Sequence, residues 1–241
     1  MAQLIYGKNS VLSLIETKKE IKQLYILQSK GNDEVLSLAK KNNINYKLVD
    51  RRYLDNLVKG NHQGYAATID DYKTYDIDQL IDSIEPSKMP LLVICDGIED
   101  PHNLGAILRS CCCVGADGVI IEKNRCVSLN PTVAKVSVGA IDKIKVASVT
   151  NLVNTLKCLK ERGYWIIGTD MSSTDYRSVD YNMPVALVVG SEGKGMHRLV
   201  KENCDIVVSI PMTGHMNSLN ASVAASIVMY QVYNSRFPLK K

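Results

Sequence analysis

From Leu91 onward the chain alternates short apolar runs with helix-forming segments, and no other feature constrains the fold as strongly. LLVIC (Leu91–Cys95) is apolar at every position, the pattern of a strand buried on both faces of a parallel sheet. The loop DGIEDPHN follows, then the helix-like LGAILRSCCCVG, a second strand GVII (Gly118–Ile121) and a helix opened by Asn130-Pro131. KIKVAS, the amphipathic stretch Leu152–Arg162 closed by Gly163, and the strand-like YWIIGTD, PVALVVG and DIVVSI continue the alternation. This order predicts a parallel α/β domain. DIVVSI leads into IPMTGHMNSLNASVAASIVM (Ile210–Met229), a polar loop feeding a helix rich in small residues. Either Ser218 or Asn220 is placed to cap the free N–H groups of that helix.

Residues 1–70 read differently, as a small α/β unit of their own. VLSLIE is a short helix with Ser10 as its expected cap, QLYIL (Gln23–Leu27) a strand, and Asn32-Asp33 the opening of the helix EVLSLAKKN. INYKLV (Ile44–Val49) is a second strand, Asp50 caps RRYLDNLV, and a third strand runs from Tyr65 to Ile69. The Asn61-His62-Gln63 loop before it reads equally as an RNA contact or as a solvated turn. Asp70–Lys88 is acid-rich, is punctuated by Pro86 and Pro90, and predicts a linker with one helix, Ile77–Ile84. The expected organisation is a substrate RNA-binding domain over 1–75, a linker over 76–89 and the parallel-sheet domain over 90–241.

Charge supports that division. Residues 1–75 carry 12 Lys and Arg against 8 Asp and Glu, whereas the rest of the chain carries 17 of each, so the whole +4 excess lies in the first part. A basic front end suits a polyanionic partner. No run approaches the ~18 consecutive apolar residues of a membrane span, and MAQLIYGKNS lacks an apolar signal region, so a cytoplasmic protein is expected. Seven cysteines without a C-x-x-C pair suit neither a disulfide framework nor a zinc site, and no metal is expected. Cys111, Cys112 and Cys113 read as reduced thiols, mostly filling core space on a helix.

Three loops follow strands at their C-terminal ends, where open α/β sheets place ligands. The first carries Asn103 and Arg109. The second is Gly190-Ser191-Glu192-Gly193-Lys194-Gly195, and the third begins at Ile210. The glycine turn is no P-loop, because Met196 and His197 follow Gly195 where G-K-[S/T] requires Lys and Ser or Thr. Its order, G-x-x-G-x-G, also fails the dinucleotide fingerprint, so ATP and NAD are disfavoured. Three positions without side chains would let the backbone approach a flat ligand closely.

NLGAILR, LVVGSEGKGM and IPMTGHMNSLNASVAAS, in that order and spacing, resemble the three motifs of the SpoU (TrmH-type) RNA ribose 2′-O-methyltransferases. YGKNSVLSLIE and HQGYAA are similar to the RlmB subgroup, which methylates guanosine in 23S rRNA. The resemblance implies an α/β fold with a deep trefoil knot, a rare exception to ordinary chain topology, and a small N-terminal α/β RNA-binding domain. It implies S-adenosylmethionine bent within the knot loops against Gly190, Ile210 and Leu219, with Thr169 and Met212 as further candidates. It also implies a homodimer using the C-terminal helix. Arg109, Asn103, Glu192, Ser218 and Asn220 match the family's catalytic polar positions. His215, Met216, Ala221 and Ser226 are small departures from its pattern. Guanidinium stays protonated at neutral pH, so Arg109 is expected to bind the neighbouring phosphate and orient the ribose hydroxyl rather than take its proton. The partner implied is RNA, most of all 23S rRNA, with no DNA and no membrane. The competing readings are a tRNA 2′-O-methyltransferase of the same family and a non-catalytic ribosome assembly factor. The presence of Arg109, Glu192 and Asn220 argues against the latter.

Overall fold

The computed structural model of the chain describes residues 2–30, 33–85, 89–214 and 218–239. Asn32, Pro86, His215 and Met216, singled out above, lie outside the described residues. The chain divides into two compact units, Met1–Tyr72 and Lys73–Lys241.

In the first unit, β1 (Ala2–Tyr6), α1 (Lys8–Glu16), β2 (Ile21–Leu27), α2 (Glu34–Lys41), β3 (Tyr46–Val49), α3 (Arg51–Leu57) and β4 (Tyr65–Asp70) follow in order. The four strands form one sheet in the order β1-β4-β2-β3. β4 runs antiparallel to both its neighbours, and β2 and β3 are parallel. Asp33 caps α2 by accepting from the N–H of Val35 at 3.0 Å, and Asp50 caps α3 through the N–H of Tyr53 at 2.8 Å. Ser10 does not cap α1. That helix starts three residues earlier, after Gly7, whose φ of 92° favours glycine. Strand β1 is absent from the sequence reading, because AQLIY is short and gains its place only by pairing with β4, more than sixty residues on. On one sheet face Leu54 and Val58 pack against Ala66.

The Asn61-His62-Gln63 loop is a structural turn. His62 is buried, its Nε2 lies 2.9 Å from Asp55 Oδ1, and its Nδ1 accepts the N–H of Gly64 at 2.9 Å. Both ring nitrogens are occupied, so the tautomer is set with the proton on Nε2. Gln63 Oε1 accepts the N–H of Lys8 at 2.9 Å. The loop's polar side chains are spent on backbone left unpaired by the turn.

In the second unit the elements are α4 (Ile77–Asp82), β5 (Leu91–Asp96), α5 (Pro101–Val114), β6 (Gly118–Glu122), α6 (Pro131–Ser137), β7 (Val146–Val149), α7 (Leu152–Glu161), β8 (Trp165–Asp175), β9 (Val185–Gly190), α8 (Arg198–Glu202), β10 (Ile206–Ser209) and α9 (Ala221–Arg236). Six strands make one parallel sheet in the order β10-β8-β9-β5-β6-β7. Every residue of β5, β6 and β9 is buried, as their unbroken apolar runs require. One face buries Leu92, Ile94, Ile120 and Ile166 against Leu80 of α4, Leu156 and Leu159 of α7 and Val200 of α8. The 76–89 stretch is therefore more than a linker, since α4 is part of this core. α5 packs against both α6 and α9, and α9 lies against β9. Gly105 makes the α5–α6 approach possible, because a Cβ there would sit 2.7 Å from Cβ of Val136.

Strand order determines where a ligand can sit. From β5 the chain moves to β6 on one side, and from neighbouring β9 it moves to β10 on the other. Adjacent parallel strands whose onward connections diverge leave a crevice beyond their C-terminal ends. Asp96 and Gly190, the last residues of β5 and β9, are register partners at that crevice.

Candidate active site

Glu192, on the turn after β9, is the hub of the crevice. Its Oε1 accepts Nδ2 of Asn103 at 3.2 Å and the N–H of Ala221 at 3.2 Å, together with Nδ2 of Asn220. Asn220 Nδ2 also donates to Oδ1 of Asn103 at 2.8 Å. Asn103 lies in the first turn of α5, a helix started by Asp100, which accepts the N–H of His102 at 2.8 Å, and by Pro101 at a position that needs no donor. Asn220 is the N-cap of α9, and its Oδ1 accepts the N–H groups of Ser222 at 3.0 Å and Val223 at 3.3 Å. One side chain thus caps the helix with its oxygen and joins the polar cluster with its nitrogen. Ser218 takes no part in capping and stands on the cavity wall instead.

The cavity beside this cluster has a volume of about 320 Å³, within the ~300–1,000 Å³ common for small-molecule sites. Thr169, Gly190, Ile210, Met212 and Leu219 all line it, as do Glu192 and Ser218. Val189, Val208, Ala221, Ala224 and Val228 provide an apolar wall. The small residues of α9 therefore leave room for the cavity. Thr169 spends its hydroxyl on the carbonyl of Val188 at 3.1 Å.

Glycine serves two different purposes in the turn. A Cβ on Gly190 would fall 2.2 Å from the carbonyl carbon of Gly195, so the missing side chain makes way for the turn's own backbone and not for a ligand. Gly193 and Gly195 have φ of 80° and 66°, and a Cβ on either would meet nothing within 4 Å. Ser191 and Gly195 exchange N–H···O bonds of 3.0 and 2.9 Å that close the turn. Asp96, almost wholly buried, pins the segment after it. Its Oδ2 accepts the N–H of His197 at 2.6 Å, and its Oδ1 lies 2.7 Å from His197 Nδ1. The sequence reading passed over this pair, although an acidic residue closing the apolar run LLVICD was a visible signal.

Arg109 stands apart from the cluster. Six residues beyond Asn103 on an α-helix is a rotation of about 240°, so the buried face carrying Asn103 and the exposed position of Arg109 differ. Ser110 is the residue that returns to the Asn103 side, and its hydroxyl meets that of Ser226 on α9 at 2.7 Å. Among the described residues no hydrogen bond or ion pair engages Arg109. Asn103 therefore orients Glu192 and Asn220, not Arg109.

A parallel α/β unit with a polar cluster at its topological switch point, and beside it a cavity at the ends of β8, β9 and β10 that holds the carboxylates Asp170 and Glu192, has the architecture of a small-molecule-binding domain. Residues 90–230 match the SpoU rRNA Methylase family, and residues 4–75 match RNA 2'-O ribose methyltransferase substrate binding. A Bacillus subtilis protein named to the TrmH family of tRNA/rRNA methyltransferases, YacO, is 48% identical over 240 residues, covering 98% of this chain and 96% of its own. AviRb, a SpoU methyltransferase of Streptomyces viridochromogenes crystallised with AdoMet, superposes with a TM-score of 0.67 at 22% identity, covering 98% of this chain and 90% of its own. The TrmH/SpoU tRNA modifying enzyme of A. aeolicus gives a TM-score of 0.57 at 31% identity, covering 66% of this chain and 82% of its own. The chain belongs to the SpoU family of RNA methyltransferases.

Proposed function

We propose that the protein transfers a methyl group from S-adenosylmethionine to a ribose 2′-hydroxyl of RNA, and that its target is a guanosine of 23S rRNA. The observation that carries the reading is the convergence of Asn103 and Asn220, from the first and third loops, on Glu192 of the second, which lines a cavity together with Gly190, Ile210 and Leu219. The cavity fits such a donor. It has an apolar wall for an adenine, and it holds the carboxylates Asp170 and Glu192.

S-adenosylmethionine supplies an electrophilic methyl group on a positively charged sulfur. The chain's task is to hold the hydroxyl in line with that methyl and to favour loss of the hydroxyl proton. Glu192 lines the cavity and has its Oε1 occupied by three donors, which fixes the carboxylate. Ser218 offers a hydroxyl on the same wall. Arg109, exposed, unpaired among the described residues and on a different face of α5 from Asn103, offers its guanidinium fork to the phosphate next to the target ribose. The first unit supplies RNA affinity from its basic excess, and the 1–75 and 90–241 division of labour follows. A deep knot around the cavity, a homodimer and a cytoplasmic setting complete the reading. Tyr230 and Tyr233 on α9, with Phe237 just after it, leave aromatic surface for self-association.

The rRNA target rests on the resemblance of YGKNSVLSLIE and HQGYAA to the RlmB subgroup, within the residues 4–75 that match RNA 2'-O ribose methyltransferase substrate binding. Mapping ribose methylation in cells with and without the protein tests the reading. Loss of one guanosine mark in 23S rRNA is expected. An unchanged 23S pattern with a lost tRNA mark would overturn the substrate assignment.

A further inference from the structure

Strand β8 leaves its ladder partway along. Val207 and Val208, consecutive on β10, pair with Gly168 and Thr174, so Thr169–Ser173 arch out of the sheet. The arch is tied to both neighbouring strands. Thr169 Oγ1 donates to the carbonyl of Val188 at 3.1 Å, Ser173 Oγ donates to that of Val207 at 2.7 Å, and Ser209 Oγ donates to that of Ser173 at 2.9 Å. It carries Asp170 to the cavity wall. Lys201 of α8 forms an ion pair with Oδ2 of Asp170, and the N–H of Met171 donates to Oδ1 at 2.6 Å. The lysine holds the Asp170 carboxyl below the usual carboxylate range.

We infer that Asp170 is the acceptor for the vicinal ribose hydroxyls of the methyl donor, its charge balanced by Lys201. The inference rests on the S-adenosylmethionine reading of the cavity. Two carboxylates line that cavity, and their surroundings separate their roles. Glu192 has no cationic partner among the described residues, so its charge remains available to a cationic group. Asp170 is balanced by Lys201. A balanced carboxylate gains little from a further cation, but each oxygen keeps a lone pair for a neutral donor. A vicinal diol offers two O–H groups to two carboxylate oxygens, and an acidic side chain accepting from a ribose hydroxyl is how dinucleotide-binding α/β domains recognise ribose. The arch is what brings the acid there. In an uninterrupted ladder Thr169 and Asp170 would instead pair with Val208 and Ser209 of β10.

Calorimetric titration tests this with S-adenosylhomocysteine and its 2′-deoxyribose counterpart, ligands that differ only at the proposed contact. The wild type should bind the ribose form at least about tenfold more tightly, as expected of a hydrogen bond to a charged group. Asp170→Ala, with folding checked by thermal unfolding, should bind the two equally. Lys201→Met should keep the diol preference and bind S-adenosylmethionine more tightly relative to S-adenosylhomocysteine, because the uncompensated Asp170 then attracts the sulfonium. Equal affinity of the wild type for both ligands overturns the assignment whatever the variants do. An undiminished preference in Asp170→Ala overturns it as well. Binding of neither ligand to the wild type would instead overturn the cofactor reading.

Discussion

Asn220 joins two helices that are distant in sequence, its Nδ2 donating to Oδ1 of Asn103 at 2.8 Å while its Oδ1 caps α9. The two functions sit on opposite ends of one amide, so substitution can separate them. Asn220→Ala should lose both. Loss of the cap costs about 1 kcal/mol, which lowers the melting temperature by about 2–4 °C in a chain of this size. Methyl transfer should fall by about two orders of magnitude, the scale of losing an active-site donor. Asn220→Ser keeps a capping oxygen and is too short to reach Asn103 or Glu192. It should regain the melting temperature without regaining the rate. Paired calorimetric melts and methyl-incorporation assays decide this, and a serine variant with restored activity would show that the amide contacts are dispensable.

Arg109 gives the opposite pattern. It is exposed and makes no hydrogen bond or ion pair among the described residues, so Arg109→Lys should leave stability within about 0.5 kcal/mol. If its guanidinium fork holds the phosphate and the ribose hydroxyl, turnover at saturating RNA should still drop at least tenfold, because an ammonium cannot reproduce the bidentate geometry. Near-normal turnover in the lysine variant would contradict the role given to the fork.

The ion pair between Asp170 and Lys201 makes part of the fold's stability depend on pH. The folded-state pKa of Asp170 is depressed, chiefly by the hydrogen bond from Lys201. A depressed carboxyl contributes stability above its unfolded pKa, about 3.9, and loses that contribution as pH falls through the folded value. Wild type and Lys201→Met should therefore differ by a constant amount between pH 5 and 8 in urea melts. The difference should shrink below about pH 4. A gap that widened on acidification would assign the linkage to another group.

Much of this architecture was legible before any coordinates, and the parts that were not share one physical cause. LLVIC and PVALVVG could be read as fully buried strands because a two-sided sheet demands an apolar residue at every position. Asp33, Asp50 and Asn130 could be read as caps because capping is local, spanning two or three residues. The arch at Thr169–Ser173 begins in the last two residues of YWIIGTD and gives no local signal, because it is set by the register of β8 against β10. β1 was missed for the same reason. The motif residues Asn103, Glu192 and Asn220 were visible one by one, but their mutual hydrogen bonds depend on β9 lying beside β5, which no local pattern encodes. Arg109 shares the NLGAILR motif with Asn103, yet the helical phase turns it to the exposed side.

The three adjacent cysteines follow the same helical phase and differ sharply in access. Cys111 is fully buried beside Met229, Cys112 is half-buried, and Cys113 is exposed, so only the first fills core space as expected. Burial raises the thiol pKa of Cys95 and Cys111, and it pushes that of Cys204 up to about 12. Thiolate is the reactive form, so iodoacetamide at pH 8 should modify Cys113 first and should reach Cys95, Cys111 and Cys204 only on unfolding. Peptide mapping of protein labelled with and without urea gives the order. Early labelling of Cys111 in the folded protein would mean that α5 opens locally.

The glycine turn offers the sharpest comparison, because its glycines are required for different reasons. Gly190→Ala places a Cβ 2.2 Å from the carbonyl carbon of Gly195, closer than any side-chain shift can relieve, since the obstacle is backbone. The turn must then open, carrying Glu192 away from Asn103 and Asn220. Binding of S-adenosylmethionine should fall below detection. Gly193→Ala meets nothing within 4 Å and bears only the strain of an alanine at φ 80°, about 1–2 kcal/mol. Its affinity should drop by tenfold at most, with the turn intact. Calorimetric titration of both variants measures the contrast, and equal losses would mean that the turn yields as a whole, not at the Gly190 crossing.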